Sequence, residues 1–416
     1  MKRAIIRSHD RYAIGSLILL SINPGVEWLP EEHALAMRTN NVQRYNYEYQ
    51  FGDSMPGLLR KIESMLVTGS YILSQEVEQF EQAFAAFVGA RYAFGVNTGT
   101  DALSIALRVA KIGHGDEVIT QANTFHATVL AIVNCGASPV LVDADENTFL
   151  MDLKQVDFVL TSRTRALLPV HLYGKPLPLD YLLQLAANRT ISIIEDACQA
   201  HGARWHGRHV GTQGHFGCFS FHPSKNLAAA GDGGAITTNS DFFAAEIRKV
   251  RSLGQEGQNN HVTVGVNSRL DSIQAAILST KLPKLDAWNE KRRSVAALYI
   301  ERLRDLPVGF QEATEGEEHV YHLFQLRTES RDSLLQHLRG NGIDAVIRYP
   351  CPIHLQPAFS HLRWKRGQFP VAEKLSRELL ALPIRPDMTV AEVDYVCDSI
   401  RSFFTGSARR LMKRAV

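Results

Sequence analysis

From about residue 45 onward the chain alternates short β-branched runs with longer stretches of helical periodicity, and polar or small residues close most of the short runs. That alternation points to a βαβ-type α/β fold with a mostly parallel sheet, because parallel neighbours need a crossover that is usually a helix. The expected strands are Glu117 to Thr120, Pro139 to Val142, Ala166 to Val170, Ile191 to Glu195, Cys218 to Phe221 and Ala235 to Thr237. Helical spacing covers Gln75 to Phe87, where Val77, Phe80, Phe84 and Phe87 recur with charges between them. A second helix runs from near Thr100 to about Ile112 and ends at Gly113.

A long helical stretch from Ser272 to Leu303, kinked at Pro283, leads into a second region. There Val320 to Arg327 reads as a strand, Arg331 to Arg339 as a helix and Ile343 to Tyr349 as another strand, with Gly340 to Gly342 as the break. The expected organisation is an N-terminal extension (1–44), a large domain (45–285), a smaller C-terminal α/β domain (286–405) and a solvated basic tail (406–416).

Composition removes several classes of function. With 45% hydrophobic and 21% charged positions over 416 residues, the chain is too apolar to be disordered and too long for one small module. Forty-five basic against forty-three acidic residues leave a net charge of +2, so the footprint of a nucleic-acid binder is absent. Cys135, Cys198, Cys218, Cys351 and Cys397 form no C-x-x-C pair, which suits buried thiols in a reducing, cytoplasmic setting. Lys2, Arg3 and Arg7 precede the apolar run Tyr12 to Ile22, in the manner of a signal peptide, but no small-x-small cleavage site follows. The run is too short for a transmembrane helix, so no membrane partner is expected. A docking strand, or initiation at Met37, explains the same residues.

The chemistry concentrates in three places. Ser220-Phe221-His222-Pro223-Ser224-Lys225-Asn226 puts a lysine on a turn after an apolar strand, and Gly231-Asp232-Gly233-Gly234 returns the chain into another. A desolvated lysine can form a Schiff base with an aldehyde, whereas a lone lysine of this kind is usually a surface residue. Ile191-Ser192-Ile193-Ile194-Glu195-Asp196 is an apolar run ending in acid, where a buried carboxylate needs a cationic partner. A protonated pyridine nitrogen would serve, and so would the plainer role of Asp196 as a helix N-cap. Asn97-Thr98-Gly99-Thr100-Asp101 stands at a strand-to-helix junction, a seat for phosphate or simply a capped turn.

In order along the chain, these blocks join Ala122-Asn123-Thr124-Phe125, Pro169-Val170-His171-Leu172-Tyr173-Gly174, Glu195-Asp196-Ala197-Cys198-Gln199-Ala200-His201-Gly202, Asn267-Ser268-Arg269-Leu270-Asp271 and His354-Leu355-Gln356-Pro357. Over about residues 45 to 405 the chain strongly resembles the DegT/DnrJ/EryC1 family of pyridoxal-phosphate-dependent sugar aminotransferases. The resemblance implies the type I, aspartate aminotransferase-like fold, with a mostly parallel large-domain sheet and a smaller C-terminal α/β domain. It implies pyridoxal 5'-phosphate as cofactor, with Lys225 bonded to it and moving the proton during turnover, and Asp196 holding the ring nitrogen protonated. Gln199 would lie near the phenolic oxygen, Phe125 on the ring face, and Gly99, Thr100, Ser220 and Asn267 around the phosphate. In the family that asparagine reaches the neighbouring subunit's site, so a homodimer is implied.

The implied reaction carries an amino group from an amino acid, glutamate or glutamine, to a keto sugar. The turn around Gly231 and the Lys225 block look most like enzymes that aminate the 3-keto group of nucleotide-linked deoxyhexoses. The chain departs from that subgroup at Arg348-Tyr349-Pro350, where histidine often precedes Tyr-Pro, and at Ala228-Ala229-Ala230. Arg348 could meet a phosphate, or form a surface ion pair; Tyr349 and His354 are further acceptor-site expectations. The alternative acceptor is a keto-cyclitol or keto sugar phosphate of aminoglycoside-type biosynthesis. A non-catalytic, regulatory use of the fold is disfavoured by the joint presence of Lys225, Asp196, Gln199 and Ser220, and a dehydratase by the lysine itself. His222 reads as packing rather than a base. Gly211 to Gly217 lacks the strand and acid of a dinucleotide loop, and His201, His206, His209 and His215 lack ligand spacing, so no metal is expected.

Overall fold

The computed structural model describes residues 41–187 and 189–412. The apolar run Tyr12 to Ile22, Met37 and the last residues of the basic tail lie outside them.

The central sheet has seven strands: β1 (Tyr92–Val96), β2 (Glu117–Gln121), β3 (Ser138–Val142), β4 (Thr164–Leu167), β5 (Ser192–Asp196), β6 (Phe216–Ser220) and β7 (Gly234–Thr238). Their spatial order is β1-β7-β6-β5-β4-β2-β3, and the pairs from β6 through β5, β4 and β2 to β3 are parallel. Strand β7 runs antiparallel to both neighbours, with Ile236 opposite Phe94 on one side and Cys218 on the other. Every residue of β2 and β7 is buried, as expected of strands covered on both faces.

Helices α1 (Met55–Thr68), α2 (Gln75–Val88), α3 (Gly99–Val109) and α4 (His126–Asn134) follow from local sequence signals. The Ser74 hydroxyl accepts the Glu76 amide at the start of α2, and Gly89 ends it in the left-handed region at φ 74°. Phe80 and Phe84 then pack edge-on to Phe219 and Phe221 at 5.0–5.4 Å between centroids. Each such ring contributes about 1.5–3 kcal/mol through burial, and together they hold the strand that ends at Ser220 against α2.

Beyond α5 (Asp180–Ala187) and α6 (Asp241–Val250), the stretch expected as one kinked helix is α7 (Ser272–Lys281) and α8 (Leu285–Leu303), separated by a 3-10 turn at Leu282–Lys284. Pro283 in that turn removes a helical amide. A smaller antiparallel sheet of β8 (Gly309–Phe310), β9 (Phe324–Arg327) and β10 (Leu379–Leu382) has its own core with α8, α9 (Arg331–Gly340) and α11 (Val390–Met412), centred on Tyr299, Leu326, Leu338 and Val396. Helix α10 (Pro370–Glu378) lies between them in sequence. No helix among the described residues is long and apolar enough to cross a membrane.

Two expectations change. Val320 to Leu323 is not strand: its amides reach Gly174 and Tyr173 carbonyls in the other half of the chain, so the ladder begins only at Phe324. Ile343 to Tyr349 makes only isolated bridges, Val42 with Ile343 and Val346 with Ala381, before Pro350. The apolar alternation there is real, but among the described residues the segment meets the free edge of β10 only at Val346, which exchanges bonds with Ala381, so no ladder forms.

Candidate active site

The parallel strands β2, β4 and β5 and their neighbour β6 deliver their C-terminal ends to one side of the sheet, the usual crevice of an open α/β fold. There a cavity of about 470 Å³ is lined by Gly99, Thr100, Phe125, Asp196, Gln199, Ser220, Lys225, Arg348 and Tyr349, among others. These residues come from positions up to 250 apart and meet at that wall.

Asp196 ends β5 and is 5% exposed. Its Oδ2 accepts the Thr128 hydroxyl at 2.8 Å and its Oδ1 the Cys198 amide at 3.2 Å. Both donors are neutral, and among the described residues the carboxylate has no ion-pair partner. Glu195, pointing the opposite way as alternation requires, is fully buried and accepts the amides of Gly211, Gln213 and Gly214 at 2.6–2.8 Å, with His171 Nε2 at 3.0 Å. The glycine loop that superficially suggested a dinucleotide is therefore wrapped around a carboxylate of the protein itself.

Lys225 sits on the turn after β6, with its amide bonded to the His222 carbonyl at 2.8 Å. The next residue anchors the turn: Asn226 Nδ2 donates to Asn289 Oδ1 and to the Val320 carbonyl, both at 2.9 Å, and Asn289 donates in turn to the His201 carbonyl. Burial lowers the Lys225 pKa, and Arg348 lowers it further against the opposing pull of Cys198 and Asp196. A less basic amine is the form that can attack a carbonyl.

Gly99 opens α3, and the Thr98 side chain caps it by accepting the Asp101 amide. The Gly99 and Thr100 amides precede the first intrahelical bond and face the cavity end of the helix dipole. A Cβ on Gly99 would stand 2.6 Å from Ser220 Cβ and 2.9 Å from Cys198 Sγ, so only glycine lets the helix start this close to β6. Phe125, 48% exposed, places its ring 5.3 Å from that of Tyr349. Gln199 bonds the Tyr349 hydroxyl and the Tyr173 amide.

His354 is elsewhere, and Asn267 is the residue expected to serve the neighbouring subunit. His354 does not line the cavity: its ring is fully buried, bonded to Glu373 at 2.9 Å and edge-on to Phe369. Its neighbours Ile353 and Phe359 draw that segment into an apolar cluster with Ala122 and Val129, which corrects the acceptor-site assignment. Asn267 is exposed and lies outside the cavity lining of its own chain, in a bridge with Ser252.

Sequence reasoning missed Thr128, His322, Tyr45 and Tyr47. Thr128 lies three residues after Phe125 on α4, a spacing that shares a helix face but names no partner. His322 lines the cavity from the irregular segment before β9, with Nδ1 buried and without a partner among the described residues. Burial, with Lys225 and Arg292 nearby, holds its pKa well below the ordinary histidine value. His222 is exposed, its Nδ1 against the Ser224 hydroxyl at 2.9 Å. Among the described residues no group of three His, Cys, Asp or Glu side chains is arranged for a metal.

Comparison with known proteins supplies the family. Residues 57–401 match the model of the DegT/DnrJ/EryC1/StrS aminotransferase family. The chain is 44% identical over 343 residues, covering 82% of it and 90% of the relative, to a dTDP-3-amino-3,4,6-trideoxy-alpha-D-glucose transaminase from Streptomyces venezuelae. It is 41% identical over 368 residues, 88% of this chain and 99% of the relative, to a pleiotropic regulatory protein from Geobacillus stearothermophilus. Among solved structures it resembles S. venezuelae DesV in complex with a ketimine intermediate, at TM-score 0.85 and 41% identity, over 87% of this chain and 98% of that one. With the family model spanning most of its length and its lysine and aspartate meeting in one cavity, this chain belongs to the DegT/DnrJ/EryC1/StrS aminotransferase family.

Proposed function

We propose that this enzyme, a pyridoxal-phosphate-dependent transaminase, takes an amino group from glutamate or glutamine and delivers it to a nucleotide-linked keto-deoxyhexose in amino-sugar biosynthesis. The observation that carries the reading is Asp196: a buried carboxylate on the cavity wall, served by neutral donors alone, opposite the one lysine of the lining.

The residues present fit the cofactor. Asp196 would hold a proton on the ring nitrogen, and the Gly99 and Thr100 amides with the Ser220 hydroxyl would hold the phosphate. Phe125 would cover one ring face. Once bound, the cofactor supplies the electron sink that makes a proton on the substrate carbon removable. Lys225 Nζ would take that proton and return it to the cofactor carbon on the far side of the transferred nitrogen. Tyr349 and Gln199 orient the wall beside it, and Arg348, which forms no ion pair among the described residues, offers a guanidinium to a phosphate of the acceptor.

The names of the relatives favour a nucleotide sugar over a keto-cyclitol: besides the Streptomyces transaminase, the similar proteins include a UDP-2-acetamido-2-deoxy-3-oxo-D-glucuronate aminotransferase of Pseudomonas aeruginosa. The regulatory name carried by the Geobacillus relative is outweighed by the lysine-aspartate arrangement. A homodimer is part of the reading. Asn267 is exposed beside Val262 and Val264, which are 48% and 81% exposed, a face suited to a second copy. We place the enzyme in the cytoplasm, and divide it into a large domain to residue 285 and a small one after it.

Purified enzyme loaded with pyridoxal phosphate should be yellow, and borohydride should fix the label on the peptide containing Lys225. A colourless, unlabelled protein overturns the cofactor chemistry. Turnover of keto-cyclitols with refusal of dTDP- and UDP-linked 3-keto hexoses overturns the acceptor.

A further inference from the structure

The residues just before the family match form a strap, 41–54, that is tied down at both ends. At one end Val42 exchanges backbone bonds with Gly342 and Asp344 at 3.0 Å, Arg44 Nε reaches Asp344 at 2.9 Å and Arg385 holds the Gln43 carbonyl at 2.7 Å. At the other, Lys291 meets the Tyr49 hydroxyl, Lys281 meets Gln50 and lies 4.3 Å over the Phe51 ring, and Lys284 bonds the Phe51 carbonyl and Ser54. Between the anchors Asn46 bonds Asp387 at 2.7 Å, and the tyrosines on either side of it, Tyr45 and Tyr47, both line the cavity that holds Lys225.

These two rings stack on each other, with centroids 5.7 Å apart and planes 13° from parallel, and the Arg44 guanidinium lies 5.2 Å from the Tyr45 centroid. Tyr45 is half-buried, whereas Tyr47 is 51% exposed. Neither hydroxyl has a hydrogen-bond partner among the described residues. A tyrosine held rigid by its backbone, backed by a second ring and left open on the cavity side is poor core packing. It is a suitable stacking platform, since an aromatic face pre-positioned in this way loses little entropy on binding.

We propose that Tyr47, backed by Tyr45, is the subsite for the nucleobase of the acceptor. This rests on the reading of the acceptor as a nucleotide-linked sugar. The keto carbon must reach Lys225, at the wall of a cavity that must also take the cofactor. The nucleoside diphosphate must then extend to the mouth, where the exposed ring of Tyr47 stands and a π-face accepts any base.

The test compares Tyr47→Ala and Tyr47→Phe holoenzymes in two measurements. Steady-state kinetics should show KM for a dTDP- or UDP-linked acceptor rising about five- to hundredfold in Tyr47→Ala, the range of one base stack, with Tyr47→Phe close to the parent. The donor half-reaction with glutamate, followed by the cofactor's absorbance, should keep its rate. Titration with free dTDP or UDP should show affinity falling in step with the acceptor KM. Loss of acceptor affinity with free nucleotide binding unchanged assigns Tyr47 to the hexose and overturns the proposal, as does an unchanged KM in Tyr47→Ala. If the parent enzyme binds free nucleotide, the acceptor reading stands whatever Tyr47 does; if it binds none and turns over only unlinked sugars or cyclitols, both fail.

Discussion

Gln199 donates from Nε2 to the hydroxyl of Tyr349, 150 residues away in sequence, at 2.9 Å. Its Oε1 accepts the Tyr173 amide at 2.8 Å, so the side-chain amide has no freedom left and fixes the Tyr349 ring against Phe125. Tyr349→Phe removes this bond alone. A neutral hydrogen bond of this kind contributes about 1 kcal/mol, and kcat/KM should fall about fivefold. Tyr349→Ala also strips the ring from Phe125 and should fall further. Equal activity of the parent and Tyr349→Phe would show that the bond has no part in turnover.

Asp196→Asn keeps the shape of the side chain and its neighbours Thr128 and Cys198 while removing the charge. Turnover should drop about a hundredfold or more, the size of losing one aimed electrostatic partner. Unfolding in guanidinium should change by no more than about 1 kcal/mol. A variant that loses stability and activity together would make Asp196 a structural acid.

Glu195 is the contrasting case. Among the described residues its carboxylate is the sole acceptor for the Gly211, Gln213 and Gly214 amides. Glu195→Ala should cost about 3 kcal/mol of stability, because the buried Gly211 amide and two half-buried amides lose their acceptor. Glu195→Gln should lie between, and denaturant midpoints give the order.

The pH dependence of stability should carry the mark of His201. It is fully buried, 5.7 Å from the rings of both Phe219 and Phe221, and neither ring nitrogen has a partner among the described residues. Burial, aided by Lys225, lowers its pKa from 6.5 to about 3. Between those values the unfolded chain binds a proton that the folded chain refuses. The contribution is therefore intact above pH 6.5 and lost as pH falls toward about 3, at up to about 1.4 kcal/mol per pH unit. His201→Leu should hold its stability at pH 7 and flatten the acid limb by one proton. An unchanged slope would remove His201 from the titration.

Subunit sharing can be read by mixing. Lys225→Ala and Asn267→Ala should each be nearly inactive, by about 10²–10⁴-fold for the lysine as the proton-transfer group. A heterodimer of the two should regain activity at one site if Asn267 serves the neighbouring subunit. A confirmed heterodimer without recovery would return Asn267 to its own chain.

Much of the large sheet could be read locally. β-branched runs of about five residues, helical spacing such as Val77, Phe80 and Phe84, and a hydroxyl beside Gly99 all act within one or two turns of chain. The segments read wrongly are those whose partners are distant. Val320 to Leu323 is claimed by Tyr173 and Gly174, and Ile343 to Tyr349 meets the free edge of β10 only at Val346 among the described residues.

The sequence alone determined the chemical parts: Lys225 on a turn, Asp196 ending an apolar run, Gly99 at a helix start, and their order along the chain. Such motifs are legible because backbone geometry and burial select residue types at fixed spacing. Tertiary structure decided which side chains share the cavity. It withdrew His354 into a cluster with Glu373 and Phe369, gave Asp196 its Thr128 donor, and brought Tyr45 and Tyr47 to the mouth. Those choices depend on contacts between residues tens to hundreds of positions apart, and nothing in residue type or spacing encodes them.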